Sequence, residues 1–210
     1  NQVRFSEKVF WVNEIDERRF FNPDQQAQLT AHSHLHYRFK NKLDIAAGIT
    51  FSSITSLKNT NLHIPEWRPF QEITWMEKLG KQFSFQFRNR LDERFIHRSN
   101  SSELESGYFF VFRYRTRIQF QYALKLSTEK NLNIRISDEY MIQFSKVDIP
   151  RFDQNRIYLG VEYPWSKQIA TELGYIKIHQ SKLSGGYFDR DVIRFTFYHR
   201  IDHSREKGKV

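Results

Sequence analysis

Between Gln82 and Tyr122 apolar residues recur at nearly every second position, and arginine, glutamine, serine or an acid fills most of the positions between them. Phe83, Phe85, Phe87, Leu91 and Phe95 share one face of the first half, with Ser84, Gln86, Arg88, Arg90, Asp92 and Arg94 on the other. After the polar break HRSNSSELES, Tyr108, Phe110, Phe112, Tyr114, Ile118, Phe120 and Tyr122 oppose Arg113, Arg115, Arg117, Gln119 and Gln121. A period of two marks β-strands with unlike faces. Soluble strands average about five or six residues. These runs are far longer, and a soluble sandwich would leave much of such a strand in water. Transmembrane β-strands need about nine to eleven residues, apolar toward lipid and polar toward a barrel interior.

The same alternation extends along the chain. The first run, KVFWVNEIDERRF, has an unsettled facing because Val9, Phe10, Trp11 and Val12 are all apolar, a pattern compatible with a bulge. In the second, Leu29, Ala31, Leu35, Tyr37 and Phe39 oppose Thr30, His32, His34, His36 and Arg38. Ile45, Ala47, Ile49 and Phe51 share a face of the third, and the segment SITSLKNTNLHIPEWRP after it reads as a long connection. FQEITWMEK, the central pair, a strand through Leu132, Ile134 and Ile136, then QNRIYLGVEY, a ninth run after Pro164, and VIRFTFYHRI complete ten strands. The expected fold is all-β: a single antiparallel transmembrane β-barrel over residues 1–201, with eight or twelve strands as alternatives and a polar tail over 202–210. Connections after the even-numbered runs are short and those after runs three, five, seven and nine longer, which predicts short periplasmic turns, longer external loops and both termini in the periplasm. Trp67, Trp75 and Trp165 fall near strand ends, where an aromatic girdle sits.

Composition adds limits. The 210 residues suffice for one barrel domain. Alternation hides hydrophobicity from averages, so a mean hydropathy of -0.68 does not argue for a soluble protein. Aromatic residues make up 16% and charged residues 27%, a mixture suited to one lipid face and one polar face. Cysteine is absent, which fits an oxidising compartment. The expected location is the bacterial outer membrane, the sequence being the form left after removal of a signal peptide. A net charge of +9 raises nucleic acid as a partner, but the arginines sit at alternate strand positions with no nucleic-acid-binding signature, so none is expected. The partners expected instead are outer-membrane lipids, including lipopolysaccharide, and other outer-membrane proteins in a complex.

RPFQEI at Arg68 to Ile73, RNRLDERF at Arg88 to Phe95, FRYRTRIQF at Phe112 to Phe120 and, above all, RFDQNRIYLGVEY at Arg151 to Tyr163 resemble the family called domain of unknown function 2490. The resemblance covers the chain from about Leu29 onward and implies an outer-membrane barrel, mainly of Bacteroidota. Asp92 stands where that family is expected to prefer glutamate. No activity and no catalytic residue follow from the resemblance.

The candidate chemistry lies on the polar face. Arg88, Arg90, Arg94, Arg113, Arg115, Arg117, Arg156 and Arg194 are expected inward, with Glu72, Asp92, Glu139, Glu162 and Glu172 as partners. A ten-stranded barrel is little wider than the eight-stranded type that side chains fill. Because a buried unpaired charge is costly, this ladder is expected to be a structural plug, a narrow anion or small-solute pore being the rival. His32, His34 and His36 stand about 6.6 to 7 Å apart along one strand face, a weak metal-site candidate against the plainer reading of a hydrogen-bond network. No metal or other cofactor is assigned. Asn89 and Glu93 point outward in an otherwise aromatic face and mark a candidate protein-contact seam. His97, Ser99, Ser101, Ser102 and Glu103, with Asp148, Asp153, Asp189 and Asp191, supply polar groups for external loops but in no diagnostic spacing; a lipid or peptide hydrolase is therefore the third reading. The expectation ranked first is a non-enzymatic structural or accessory subunit of an envelope complex.

Overall fold

The computed structural model describes the chain apart from residues 23, 40–41, 57–58, 128–129, 146–150, 183–184 and 204–210. Its elements are all strands: β1 (Gln2–Arg4), β2 (Val9–Phe21), β3 (Asp24–Arg38), β4 (Leu43–Thr55), β5 (His63–Lys78) and β6 (Phe83–Ser99). They continue as β7 (Leu104–Lys125), β8 (Asn131–Phe144), β9 (Arg151–Pro164), β10 (Ile169–Ser181) and β11 (Tyr187–Asp202). β2 to β11 form an antiparallel meander, each paired with its sequence neighbour, and the sheet closes into a barrel.

Closure runs through β1, an element the alternation does not predict because three residues carry too little pattern. β1 pairs antiparallel with β2, Gln2 opposite Val12 and Arg4 opposite Phe10. It pairs in parallel with β11, Gln2 opposite Arg200 and Arg4 opposite Asp202. Beyond that contact no strand pairing joins β2 to β11 among the described residues. The outward side chains flanking this seam are bare: Ile15 is 83% exposed and Phe195 70%.

Alternation fixes the two faces. Outside, the central strands carry paired rings, Phe83 on Tyr122 at 4.7 Å, Phe85 on Phe120 at 5.3 Å and Phe95 on Phe110 at 4.8 Å between centroids. Such cross-strand aromatic pairs pin the register. Trp67, Trp75 and Trp165 are likewise exposed on the outer wall. Inside, the core is mostly polar: Thr50, Ser52, Glu66 and Asp92 are fully buried beside Phe70 and Met141. Two glycines face each other across β9 and β10, Gly160 opposite Gly174. The Tyr158 ring lies over both, at a distance where a Cβ on Gly160 would come within 2.0 Å of the phenol oxygen and one on Gly174 within 2.4 Å of the ring.

Several boundaries differ from the sequence reading. Residues 53–69 are not one long connection, since β4 runs to Thr55 and β5 starts at His63. Pro65 and Pro69 masked that strand, yet both pair within it, opposite Ser53 and Ile49. The segments read as the loops 97–106 and 181–191 are also largely strand, because β6, β7, β10 and β11 extend past the apolar band. In β2 the irregularity falls between Arg18 and Arg19 rather than among the first apolar residues. Phe10 there is buried inside and Trp11 exposed outside. The tail reading of 202–210 lies outside the described residues from 204 onward; before it, Asp202 still belongs to β11.

Candidate functional site

The barrel interior is a stack of ion pairs graded along its axis. At the end away from the chain termini, Glu66 on β5 is wholly buried and accepts hydrogen bonds from the Nη2 atoms of Arg68 at 2.9 Å and of Arg94 at 3.2 Å. Arg68 also donates to Ser52 at 3.1 Å. Next, Asp92 binds Arg90 at 2.6 Å and Arg113 pairs with Asp153 at 2.6 Å. The Arg90 guanidinium also lies 3.5 Å over the Phe70 ring, which shields its other face. At mid-height Glu139 accepts from Arg88 and, at 2.9 Å through both carboxylate oxygens, from Arg115. Nearer the termini Arg135 bridges Glu162 and Glu172. Glu162 also takes Arg200 at 3.2 Å, and Glu172 takes the Tyr158 hydroxyl at 2.5 Å and Arg194 at 3.7 Å.

The residues singled out in the sequence therefore occupy different stations. Arg88, Arg90, Asp92, Arg94, Arg113, Arg115 and Glu139 lie in the paired stack. Glu162, Glu172 and Arg194 sit in the group near the termini. Arg117 donates only to Gln86, at 2.8 Å, and Arg156 has no hydrogen bond or ion pair among the described residues. Arg88 reaches Glu72 as well, at 3.5 Å.

His34 and His36 lie in a hydrogen-bonded chain. His36 Nδ1 meets Asp44 at 2.6 Å and its Nε2 meets His34 Nδ1 at 2.8 Å, while His32 contacts Thr50 at 2.7 Å. The His36 ring stacks on Phe10, 4.4 Å between centroids. Among the described residues no three metal-ligating groups converge.

On the outer wall Asn89 accepts a hydrogen bond from the Tyr114 hydroxyl, and Gln71 donates to Glu93 at 3.2 Å. Asn89 and Glu93 thus each have a polar neighbour on an adjoining strand. The residues assigned to external loops are scattered. His97 bonds the Arg98 carbonyl at 3.0 Å and packs against Tyr108. Asp189 pairs with His179 at 2.7 Å and Asp191 with Lys177 at 3.2 Å, on the outer faces of β10 and β11 rather than in loops. Asp153 lies inside on β9, again not in a loop. Asp148 falls outside the described residues.

Sequence reasoning missed Glu66, Arg68, Asp44 and Arg135. The first two were hidden by the prolines around Trp67, although Glu66, Arg68 and Phe70 alternate cleanly with Pro65, Trp67 and Pro69. Asp44 and Arg135 occupy the polar phase of strands whose apolar phase was recognised.

This architecture, an antiparallel meander closed on itself with rings outside and ion pairs inside, is that of an outer-membrane-type β-barrel. The beta domain of the Bordetella autotransporter BrkA, known from a crystal structure, has a similar fold: the TM-score is 0.55 at 9% identity, over 91% of this chain and 82% of that one. No curated protein shows significant sequence similarity to the chain. Residues 1–189 match the model of the family described as Protein of unknown function (DUF2490), and the chain belongs to that family. The match begins at the first residue, upstream of the Leu29 limit suggested by the motifs alone.

Proposed function

We propose that this protein is a non-enzymatic structural or accessory subunit of a bacterial outer-membrane complex, with an interior plugged by its own charges. The observation that carries the reading is the ion-paired interior: Glu66, Asp92, Glu139, Glu162 and Glu172 each hold guanidinium groups across the space a solute would use, which supports a barrel that does not conduct. The exposed apolar wall around Phe195 is the surface offered to a partner polypeptide. The apolar outer wall takes membrane lipids, including lipopolysaccharide.

The test is extraction of the native protein in mild detergent after photo-crosslinking from a probe placed at Phe195, with Leu124 on the closed wall as the control position. A crosslink from position 195 to a second polypeptide in stoichiometric amount is the expected result. Crosslinks confined to lipid or to the chain itself would overturn the subunit reading.

A further inference from the structure

The interior contains more positive charge than its acids neutralise, and the excess is concentrated at one place. Inward positions of neighbouring strands line up as Arg88, Arg117, Glu139 and Arg156 across β6, β7, β8 and β9. One step along the axis, Arg90 faces Arg115. Among the described residues, the five arginines of these two rows have three carboxylates within ion-pair distance, Glu72, Asp92 and Glu139. The surplus is two positive charges.

The carboxylates are already committed. Glu139 serves Arg88 and Arg115, Asp92 serves Arg90 and Arg115, and Glu72 serves Arg88. Neighbouring acids are no freer, for Asp153 is taken by Arg113 and Glu66 by Arg68 and Arg94. On the far side Arg156 faces Ile178, and the next inward residue across from that is another arginine, Arg190. Along its own strand the nearest inward neighbours are Gln154, directed at Met141, and Tyr158, directed at Glu172. The two residues left over are Arg117 and Arg156. Each has a buried Nε with no hydrogen-bond partner among the described residues.

Arg117 and Arg156 flank Glu139 from either side, two strand spacings or roughly 9.5 Å apart at the backbone, a distance that two arginine side chains can close from opposite sides. Guanidinium is a planar fork of donors that matches tetrahedral and planar oxyanions two bonds at a time. We propose that Arg117 and Arg156 form an internal binding site for a doubly charged phosphate group, which neutralises the surplus and supplies acceptors to both guanidinium groups. The group comes either from free phosphate entering through the barrel mouth or from the phosphomonoester head of a short phosphatidic acid, and the two sources separate experimentally.

The protein is refolded in a maltoside detergent and its urea midpoint followed against sodium phosphate, with sodium chloride at matched ionic strength as reference. A saturable rise with phosphate, absent with chloride, and at least a tenfold weaker response in Arg156→Gln and Arg117→Gln but not in the exposed-turn variant Lys167→Gln, is the expected result. If inorganic phosphate is silent while dihexanoyl phosphatidic acid, a phosphomonoester, produces that protection, the headgroup is the ligand. Equal responses to phosphate and chloride with no effect of the phospholipid, or an undiminished response in Arg156→Gln, would overturn the proposal. Should a variant not refold, calorimetric titration of the unaltered protein with the same two ligands decides, since a site of this kind gives a one-to-one isotherm and its absence gives none.

Discussion

Removing the charge of Glu66 while keeping its shape isolates the interior ion pairs. Its side chain is fully buried and both Arg68 and Arg94, themselves nearly buried, depend on it. In Glu66→Gln the volume is unchanged, but two guanidinium groups lose the carboxylate they share. Deleting one partner of a buried pair costs about 3–5 kcal/mol because the other charge stays desolvated. With a urea dependence of about 1–3 kcal/mol per molar, the unfolding midpoint should fall by about 1–5 M. The control is Glu77→Gln, which breaks a partly exposed pair with Lys42 at the end near the termini. Surface pairs contribute about 0–1 kcal/mol, so that variant should unfold close to the parent. The assay is reversible unfolding in detergent micelles or thin bilayers, read by tryptophan emission. Were Glu66→Gln to unfold within error of Glu77→Gln, the interior would be so well hydrated that its pairs behave like surface ones, and the plug argument would fall with it.

Gly174→Ala places a methyl group against the Tyr158 ring and should cost about 1–3 kcal/mol, measured by the same unfolding curve. Planar-bilayer recordings of the purified protein should show no large, steady conductance, because buried ion pairs cross the interior; porin-like steps would contradict that packing. Elemental analysis after purification without chelators should find no stoichiometric zinc or copper, since both ring nitrogens of His36 are engaged by Asp44 and His34; metal near one per chain that disappears in His34→Ala would show these hydrogen bonds opening to bind it.

Much of the fold was legible because a barrel strand writes its two environments in alternate letters. Phe83 to Phe95 and Tyr108 to Tyr122 show both faces by alternation alone, whereas the ring pairs that set the register, such as Phe85 on Phe120, belong to the structure. Legibility failed where a local rule spoke against a tertiary fact. Prolines usually mark connections, yet Pro65 and Pro69 stand in β5, and the alternation of Glu66, Arg68 and Phe70 outranks them. β1 was silent because its identity depends on what lies on either side of it, not on its own three residues. The site shows the same division. Period two says which arginines turn toward the interior; it does not say which carboxylate each one meets. Arg115, Arg117 and Arg156 are indistinguishable in sequence, and only strand register leaves the first doubly paired and the last without an ion-pair partner among the described residues.

The tyrosine lying over Gly160 and Gly174 has a bearing on how such a barrel can change over generations. Its hydroxyl anchors Glu172, and its ring fills the space that two side chains would occupy. Any larger residue at either glycine evicts the ring, and eviction unhooks a carboxylate that Arg135 and Arg194 share. A smaller residue at 158 would tolerate larger ones at 160 and 174, but only if the charge at 172 finds another donor. The four positions therefore behave as one inherited character, so that homologous barrels should carry the set intact or replace it together, and a lone exchange should surface only beside a compensating one.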